Sequence, residues 1–141
     1  MSIRLLTCLV LLALAAPADA RSKAAAYLVK EQIASACDGG RGSIDPAGIV
    51  ERDLDGDGRD DLIIAHEWIS CASGGQFGRS TFCGMQVCSV MFYLRRGPLL
   101  KLVHEMLGGG VTVGAGNVPA ISMNAHGGSR GSVKWNGRAF E

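Results

Sequence analysis

From residue 62 onward the sequence falls into strand-like segments of apolar residues separated by glycine-rich stretches. In LIIAHEWISC (62–71), Leu62, Ile64, His66 and Trp68 alternate with Ile63, Ala65, Glu67 and Ile69, so each face of a strand carries apolar groups with one polar residue inserted. That composition predicts a central or near-central strand. QVCSVMFYL (86–94), rich in Val, Phe and Tyr, predicts a second. Arg95-Arg96-Gly97-Pro98 reads as a turn, and LLKLVHEML (99–107) as the return strand of a hairpin. Its residues Leu100, Leu102, His104 and Met106 are expected on one face, and Leu99, Lys101, Val103 and Glu105 on the other. A helix over 99–107 is the alternative, but the Pro98 turn and the preceding strand favour the hairpin. Further strands are expected at VTVGA (111–115) and PAISMNA (119–125). Near the end, Asn136-Gly137 between Val133-Lys134-Trp135 and Arg138-Ala139-Phe140 predicts a type I′ hairpin, because both turn residues tolerate positive φ.

Ahead of the strands, SKAAAYLVKEQIASA (22–36) is rich in helix formers, and Tyr27, Leu28, Ile33 and Ala24 can share one face. Cys37 and Asp38-Gly39-Gly40 end it, since consecutive glycines make continuation costly. The expected fold is therefore α+β and mainly β: one N-terminal helix, then about six or seven antiparallel strands in consecutive hairpins, with the helix on one sheet face. Glycines cluster at 39–42, 74–78, 108–116 and 127–131, which mark loops; residues 72–84 form the longest.

The first twenty residues change the picture of where this domain works. MSIRLLTCLVLLALAAPADA has a basic start at Arg4, an apolar run from Leu5 to Ala16 and a small-x-small end at Ala18-Asp19-Ala20, the pattern of a signal peptide cleaved after Ala20. The run falls short of the ~20 residues that span a bilayer. Cys8 sits inside it, after Thr7, and leaves with the peptide rather than serving as a lipid anchor. Residues 21–141 are then one periplasmic or secreted domain. No later segment of it is apolar enough to enter a membrane.

The cysteines that remain, Cys37, Cys71, Cys83 and Cys88, are even in number, which in an exported chain argues for two disulfides. Of the three possible pairings we expect Cys83 with Cys88, closing FCGMQVC, and Cys37 with Cys71, tying the helix end to a strand end. Zinc at FCGMQVC is disfavoured, because four residues separate the cysteines, no C-x-x-C partner exists and nothing places His104 or His126 nearby.

Net charge is +1, but its distribution is uneven. Asp45, Glu51, Asp53, Asp55, Asp57, Asp60, Asp61 and Glu67 face only Arg52 and Arg59 in the stretch from 45 to 67, and the balance reverses beyond Trp68. The later basic residues are spread thinly, without the dense cluster or aromatic platform of a nucleic-acid surface.

Within the acidic block lies DLDGDGRDDLII (53–64). Calcium takes six to eight oxygen ligands, so its loop must aim closely spaced carboxylates inward around a tight turn. Asp53, Asp55 and Asp57 fall at positions 1, 3 and 5, Gly58 permits the turn at 6, the Arg59 carbonyl sits at 7 and Asp61 at 9. Asp60 points away in this register. An EF-hand would need a bidentate Glu at position 12, where Ile64 stands, and flanking helices where strands are expected.

The pattern D-x-D-G-D-G-x-x-D-L followed by an apolar strand resembles the calcium loop of FG-GAP and VCBS repeats. The resemblance covers residues 49–71 and extends loosely to SVMFYLRRG. It implies a loop joining two strands, with calcium held by Asp53, Asp55, Asp57 and Asp61 and a main-chain oxygen of Arg59. The propeller architecture does not carry over, since at least four blades are needed and the chain has room for about one. A fully ligated cage leaves no position for substrate, so the expected calcium role is structural.

Candidate catalytic features are sparse. Gly127-Gly128-Ser129-Arg130-Gly131 matches G-x-S-x-G, a motif with meaning only on a strand-turn-helix. His66 reads as a hydrogen-bonded strand residue, His126 as turn chemistry, and Trp135 with Phe140 as a cross-strand aromatic pair. The sequence thus points to an exported calcium-binding domain with a non-catalytic, binding-type role toward an envelope or extracellular protein. An envelope inhibitor of a hydrolase, lysozyme-inhibitor-like and using the 72–82 loop, is the alternative. A hydrolase built on His126 and Ser129 is the weakest.

Overall fold

Alanine-rich sequence and a serine cap start the first element. In α1 (Lys23–Ala36) the Ser22 hydroxyl accepts the Ala25 N–H at 3.2 Å. The face turned inward is Ala25, Val29 and Ala36, whose small side chains allow close approach to the sheet. Ala24, Leu28 and Ile33 pack against the same core as expected, whereas Tyr27 is 62% exposed, because the most buried stripe is centred on Ala25 and Val29. The helix stops where Asp38 and Gly39 turn left-handed, with φ of 53° and 74°, and the Gly39 N–H reaches the Ala34 carbonyl at 2.7 Å.

This is a computed structural model, and it describes residues 21–141; the predicted signal peptide, 1–20 with Arg4 and Cys8, lies outside the described residues. The fold is α+β and mainly β, with one α-helix and eight strands in antiparallel sheets among the described residues. Strands β2 (Ile49–Arg52), β3 (Asp61–Ala65), β5 (Cys88–Arg96), β6 (Leu99–Val113), β7 (Ile121–Asn124) and β8 (Arg130–Val133) form a six-stranded meander in that order. Strands β1 (Gly42–Ile44) and β4 (Ile69–Cys71) form a separate two-stranded sheet.

One core lies on each face of the large sheet. Leu62, Ile64, Met91, Tyr93 and Leu100 meet Ala25 and Val29 of the helix. On the opposite face Ile63, Ala65, Val90, Phe92 and Leu94 are covered by Leu54, Ile121, Met123 and Phe140. For β7 to cover the sheet it belongs to, the sheet must curl, and it does so where the β6–β7 register shifts between Gly109 and Thr112. Gly108 is required there, since a Cβ would stand 2.5 Å from the Met123 sulfur.

The single strand expected over 62–71 is divided. It leaves the ladder at a 3₁₀ turn, His66–Trp68, and resumes as β4 against β1. His66 therefore does not alternate with Leu62 and Ile64; its ring is buried and hydrogen-bonded, which a straight strand would not allow. Strands expected at 99–107 and 111–115 join into one, β6. A bulge at Val103, between the pairs Tyr93↔Leu102 and Phe92↔His104, reverses the expected facing. Leu100 packs on the helix side, whereas the His104 ring lies against Phe92 at 5.6 Å on the other.

The terminal hairpin is reduced to a bridge between Trp135 and Phe140, whose rings are 5.1 Å apart. It is not type I′: of its two expected turn residues only Gly137 has positive φ, 99°. Asn136 instead accepts the Arg138 and Ala139 N–H groups on Oδ1 at 2.7 and 2.9 Å, which fixes it as the first residue of the turn. Strand β8 comes from a stretch read as glycine loop.

The structure joins Cys37 to Cys71 and Cys83 to Cys88. The first bridge links the end of α1 to β4, and the second closes the loop leading into β5. Among the described residues no helix is long and apolar enough to cross a membrane.

Candidate metal centre

Strands β2 and β3 pair with Arg52 opposite Asp61, so the loop between them returns Asp61 to the side of Asp53. Leu54, fully buried, anchors the loop in the core. Gly56 and Gly58, at φ of 81° and 82°, let the backbone turn within two residues of each other. One carboxylate oxygen from each of Asp53, Asp55 and Asp61 then lies within 4.8 Å of the others, an acidic triad able to hold a metal ion.

Each carboxylate is oriented by fixed donors. Asp53 accepts the N–H groups of Gly56 at 2.7 Å and Gly58 at 2.8 Å. Asp55 accepts the Asp57 N–H at 3.2 Å and a guanidinium nitrogen of Arg96 at 2.9 Å. Asp61 is fully buried, with Oδ2 on the Leu54 N–H at 2.8 Å and Oδ1 on the Arg95 N–H at 2.7 Å. Burial pushes its pKa above the ordinary carboxylate value, and the two backbone donors oppose that rise.

Asp57 is turned away into an ion pair with Arg59 at 2.7 Å. The hydrogen bond from that guanidinium holds the Asp57 carboxyl below its usual range. Asp60 lies at the exposed edge and takes part through its carbonyl, which accepts from Arg95 Nε at 2.9 Å. Arg59 and Arg96 are thus the cations set against the cluster, each bonded to one carboxylate.

A second polar constellation is internal. The buried ring of His66 meets Ser80 Oγ at 2.8 Å and Gln32 Oε1 at 2.9 Å, and Gln32 Nε2 donates to the Tyr93 hydroxyl at 2.9 Å. Sequence reading did not find this network, because its members lie 14, 34 and 61 residues apart. Although serine and histidine are in contact, both are fully buried, and Ser80 Oγ also accepts the Phe82 N–H at 3.1 Å. The arrangement clasps the 72–86 loop to the helix and to β5.

His126 is exposed in the turn between β7 and β8, and Ser129 closes that turn by accepting the Ala125 N–H on its carbonyl at 2.7 Å. The G-x-S-x-G stretch therefore stands on a strand-turn-strand rather than a nucleophile elbow. No protein-family model matches the chain, and no curated protein and no solved structure is significantly similar to it.

Proposed function

We propose that this chain is an exported calcium-binding domain in which the ion staples the β2–β3 connection, and whose role is to bind an envelope or extracellular protein. The observation that supports the metal is the convergence of Asp53, Asp55 and Asp61 within 4.8 Å at the end of a strand pair. Calcium suits the loop better than softer metals because it offers only oxygen donors, while the cysteines of the described domain are used in disulfides. The proposed ligands are Asp53, Asp55, Asp57, the main-chain oxygen of Arg59, and Asp61. Asp57 would exchange its pairing with Arg59 for the ion, and Asp55 its pairing with Arg96. In this reading calcium replaces two side-chain cations with one divalent centre and leaves the fold unchanged.

Two disulfides agree with an oxidising compartment, which fits the signal-like start of the chain and supports the periplasm or the exterior as its location. The test of the metal is calorimetric titration of calcium into metal-stripped protein, with Asp55→Ala and Asp57→Ala beside it. Saturable binding that both substitutions abolish is expected. No heat at millimolar calcium would reduce the loop to an acidic turn.

A further inference from the structure

We propose that the hairpin tip at residues 76–79 is a self-association site, in which Phe77 of each of two copies enters a hollow beside Phe77 of the other across a two-fold axis. At this tip, remote from the acidic loop in sequence, the Gln76 N–H donates to the Arg79 carbonyl at 2.8 Å, and the Arg79 N–H donates to the Gln76 carbonyl at 2.9 Å. Between them Phe77 and Gly78 have φ of 53° and 75°. Two central residues at positive φ is the pattern of a type I′ turn, where Asn-Gly and Asp-Gly are the favoured pairs. A bulky aromatic residue there is an outlier.

Among the described residues no packing compensates that strain, since Phe77 is 96% exposed. Met85, across the same loop, is 97% exposed. Yet the tip is held firmly. A Cβ on Gly75 would stand 2.7 Å from the Cys71 sulfur, so the base of the hairpin rests directly on the Cys37–Cys71 bridge. Cys83–Cys88 and the Ser80–His66 bond fix the other side. A rigid, strained, fully presented ring is the form expected of a contact whose ordering cost is met before binding.

A hollow of about 200 Å³ lies beside the ring, lined by Arg79, Cys83, Gly84 and Met85 together with Phe77 itself. The hollow is half-open and Gln76 and Ser80 also line it; since ~150 Å³ holds a benzene ring, its volume is sufficient for a phenyl side chain. Arg79 is the only charged residue from 72 to 87, and it lines the hollow, where its guanidinium can meet the face of an entering ring. A foreign cleft would use the knob and leave the hollow unexplained. A patch carrying a knob beside a hollow of sufficient volume can pair with a second copy of itself, and the symmetry that exchanges them is a closed two-fold. A lipid surface is disfavoured, because it has no shape for a rigid tip to match and stable anchoring needs more than one basic group.

Each buried aromatic ring contributes ~150–250 Å², so the contact falls below the ~800 Å² per partner of a standard interface and association is weak. Sedimentation equilibrium on the purified, oxidised protein from about 10 µM to about 1 mM, the range expected for so small a contact, tests it. The parent mass is expected to rise toward that of a dimer and no further. Phe77→Asn supplies the residue the turn prefers, so it should fold, melt at or above the parent temperature and stay monomeric throughout. Met85→Ala should weaken association at least several-fold. A parent that is monomeric at the highest concentration overturns the proposal, including the case in which the tip serves a foreign cleft or a membrane. So do masses that climb past the dimer, or a Phe77→Asn variant that associates like the parent.

Discussion

The carboxylate of Asp61 accepts the backbone N–H of Arg95 at 2.7 Å, joining the first residue of β3 to the end of β5 across 34 residues of chain. Its second oxygen holds the Leu54 N–H at 2.8 Å, so one buried side chain ties the acidic loop to both the core and the β5–β6 turn. Asp61 therefore has a structural role that requires no metal. Replacing it with alanine strands one buried donor, Leu54 N–H, and one half-buried donor, Arg95 N–H, a buried one being worth ~1–3 kcal/mol when left unsatisfied. Urea unfolding in the presence of chelator should show Asp61→Ala destabilised by about 3 kcal/mol or more. Asp53→Ala, whose bonds lie at the exposed rim, should lose well under half as much. Equal losses would mean that the buried and the rim carboxylate support the fold to the same degree.

Acid should weaken the fold through His66. Gln32 donates its amide nitrogen to Tyr93, which leaves Oε1 facing the imidazole, so His66 carries its proton on Nε2 and accepts from Ser80 on Nδ1. Burial disfavours a second proton and pushes the pKa from 6.5 to about 4, with the charge of Glu105 acting in the opposite direction. The unfolded chain therefore binds a proton below pH 6.5 that the folded one refuses. The contribution is complete above that pH and is lost as pH falls toward 4, to a limit of about 3 kcal/mol. Asp61 works the other way: its raised pKa returns stability as its carboxyl becomes protonated. Comparing the pH dependence of unfolding for the parent and His66→Gln isolates the histidine, and the variant should show the smaller decline between pH 6.5 and 4. Parallel curves would mean that the buried ring does not govern the acid limb.

What the sequence reveals here depends on how far apart the interacting residues lie. Alternation was sufficient for β3 and most of β6, and Val, Phe and Tyr content for β5, because both are local properties of a strand. The acidic loop was legible for the same reason, since its side chains fall within nine residues. Val103 was not, as a one-residue bulge is set by the partner strand and leaves no mark in composition. Nor was the break at His66, which is made worthwhile by Ser80 and Gln32 on distant segments. Positive φ was assigned to both Asn136 and Gly137 on propensity, whereas Gly137 alone of the two adopts it and Phe77-Gly78 adopts it at both residues. Local preference failed at both sites because side-chain bonding at Asn136 and two disulfides around the 72–86 loop override it.

The two bridges should not be worth the same. Cys37 and Cys71 are 34 residues apart, and Cys83 and Cys88 are 5 apart. If cross-links act mainly on the entropy of the unfolded chain, the longer closure contributes about 4 kcal/mol and the shorter about 2. Removing each pair by double alanine substitution and measuring denaturant midpoints should reproduce that order. The Cys37/Cys71 variant should in addition release the base of the 76–79 hairpin, since Gly75 packs on the Cys71 side chain. A larger loss from the Cys83/Cys88 pair would show that packing around the short loop, rather than chain closure, sets its worth.

Calcium should raise stability by an amount that follows from its affinity alone. Sites of this kind in extracellular modules bind at ~10⁻⁴ to 10⁻³ M, so about 10 mM calcium should add about 1.4 to 2.7 kcal/mol. The melting temperature should rise with the logarithm of calcium concentration above the dissociation constant. Magnesium, which dehydrates reluctantly and demands octahedral geometry, should do less at equal concentration. Asp55→Ala should abolish the shift. Arg96→Ala should enlarge it, because the guanidinium at 2.9 Å from Asp55 occupies a carboxylate oxygen that the ion needs. A shift that survives Asp55→Ala would place calcium elsewhere on the protein. One unchanged by Arg96→Ala would show that the arginine leaves the carboxylate freely and does not compete.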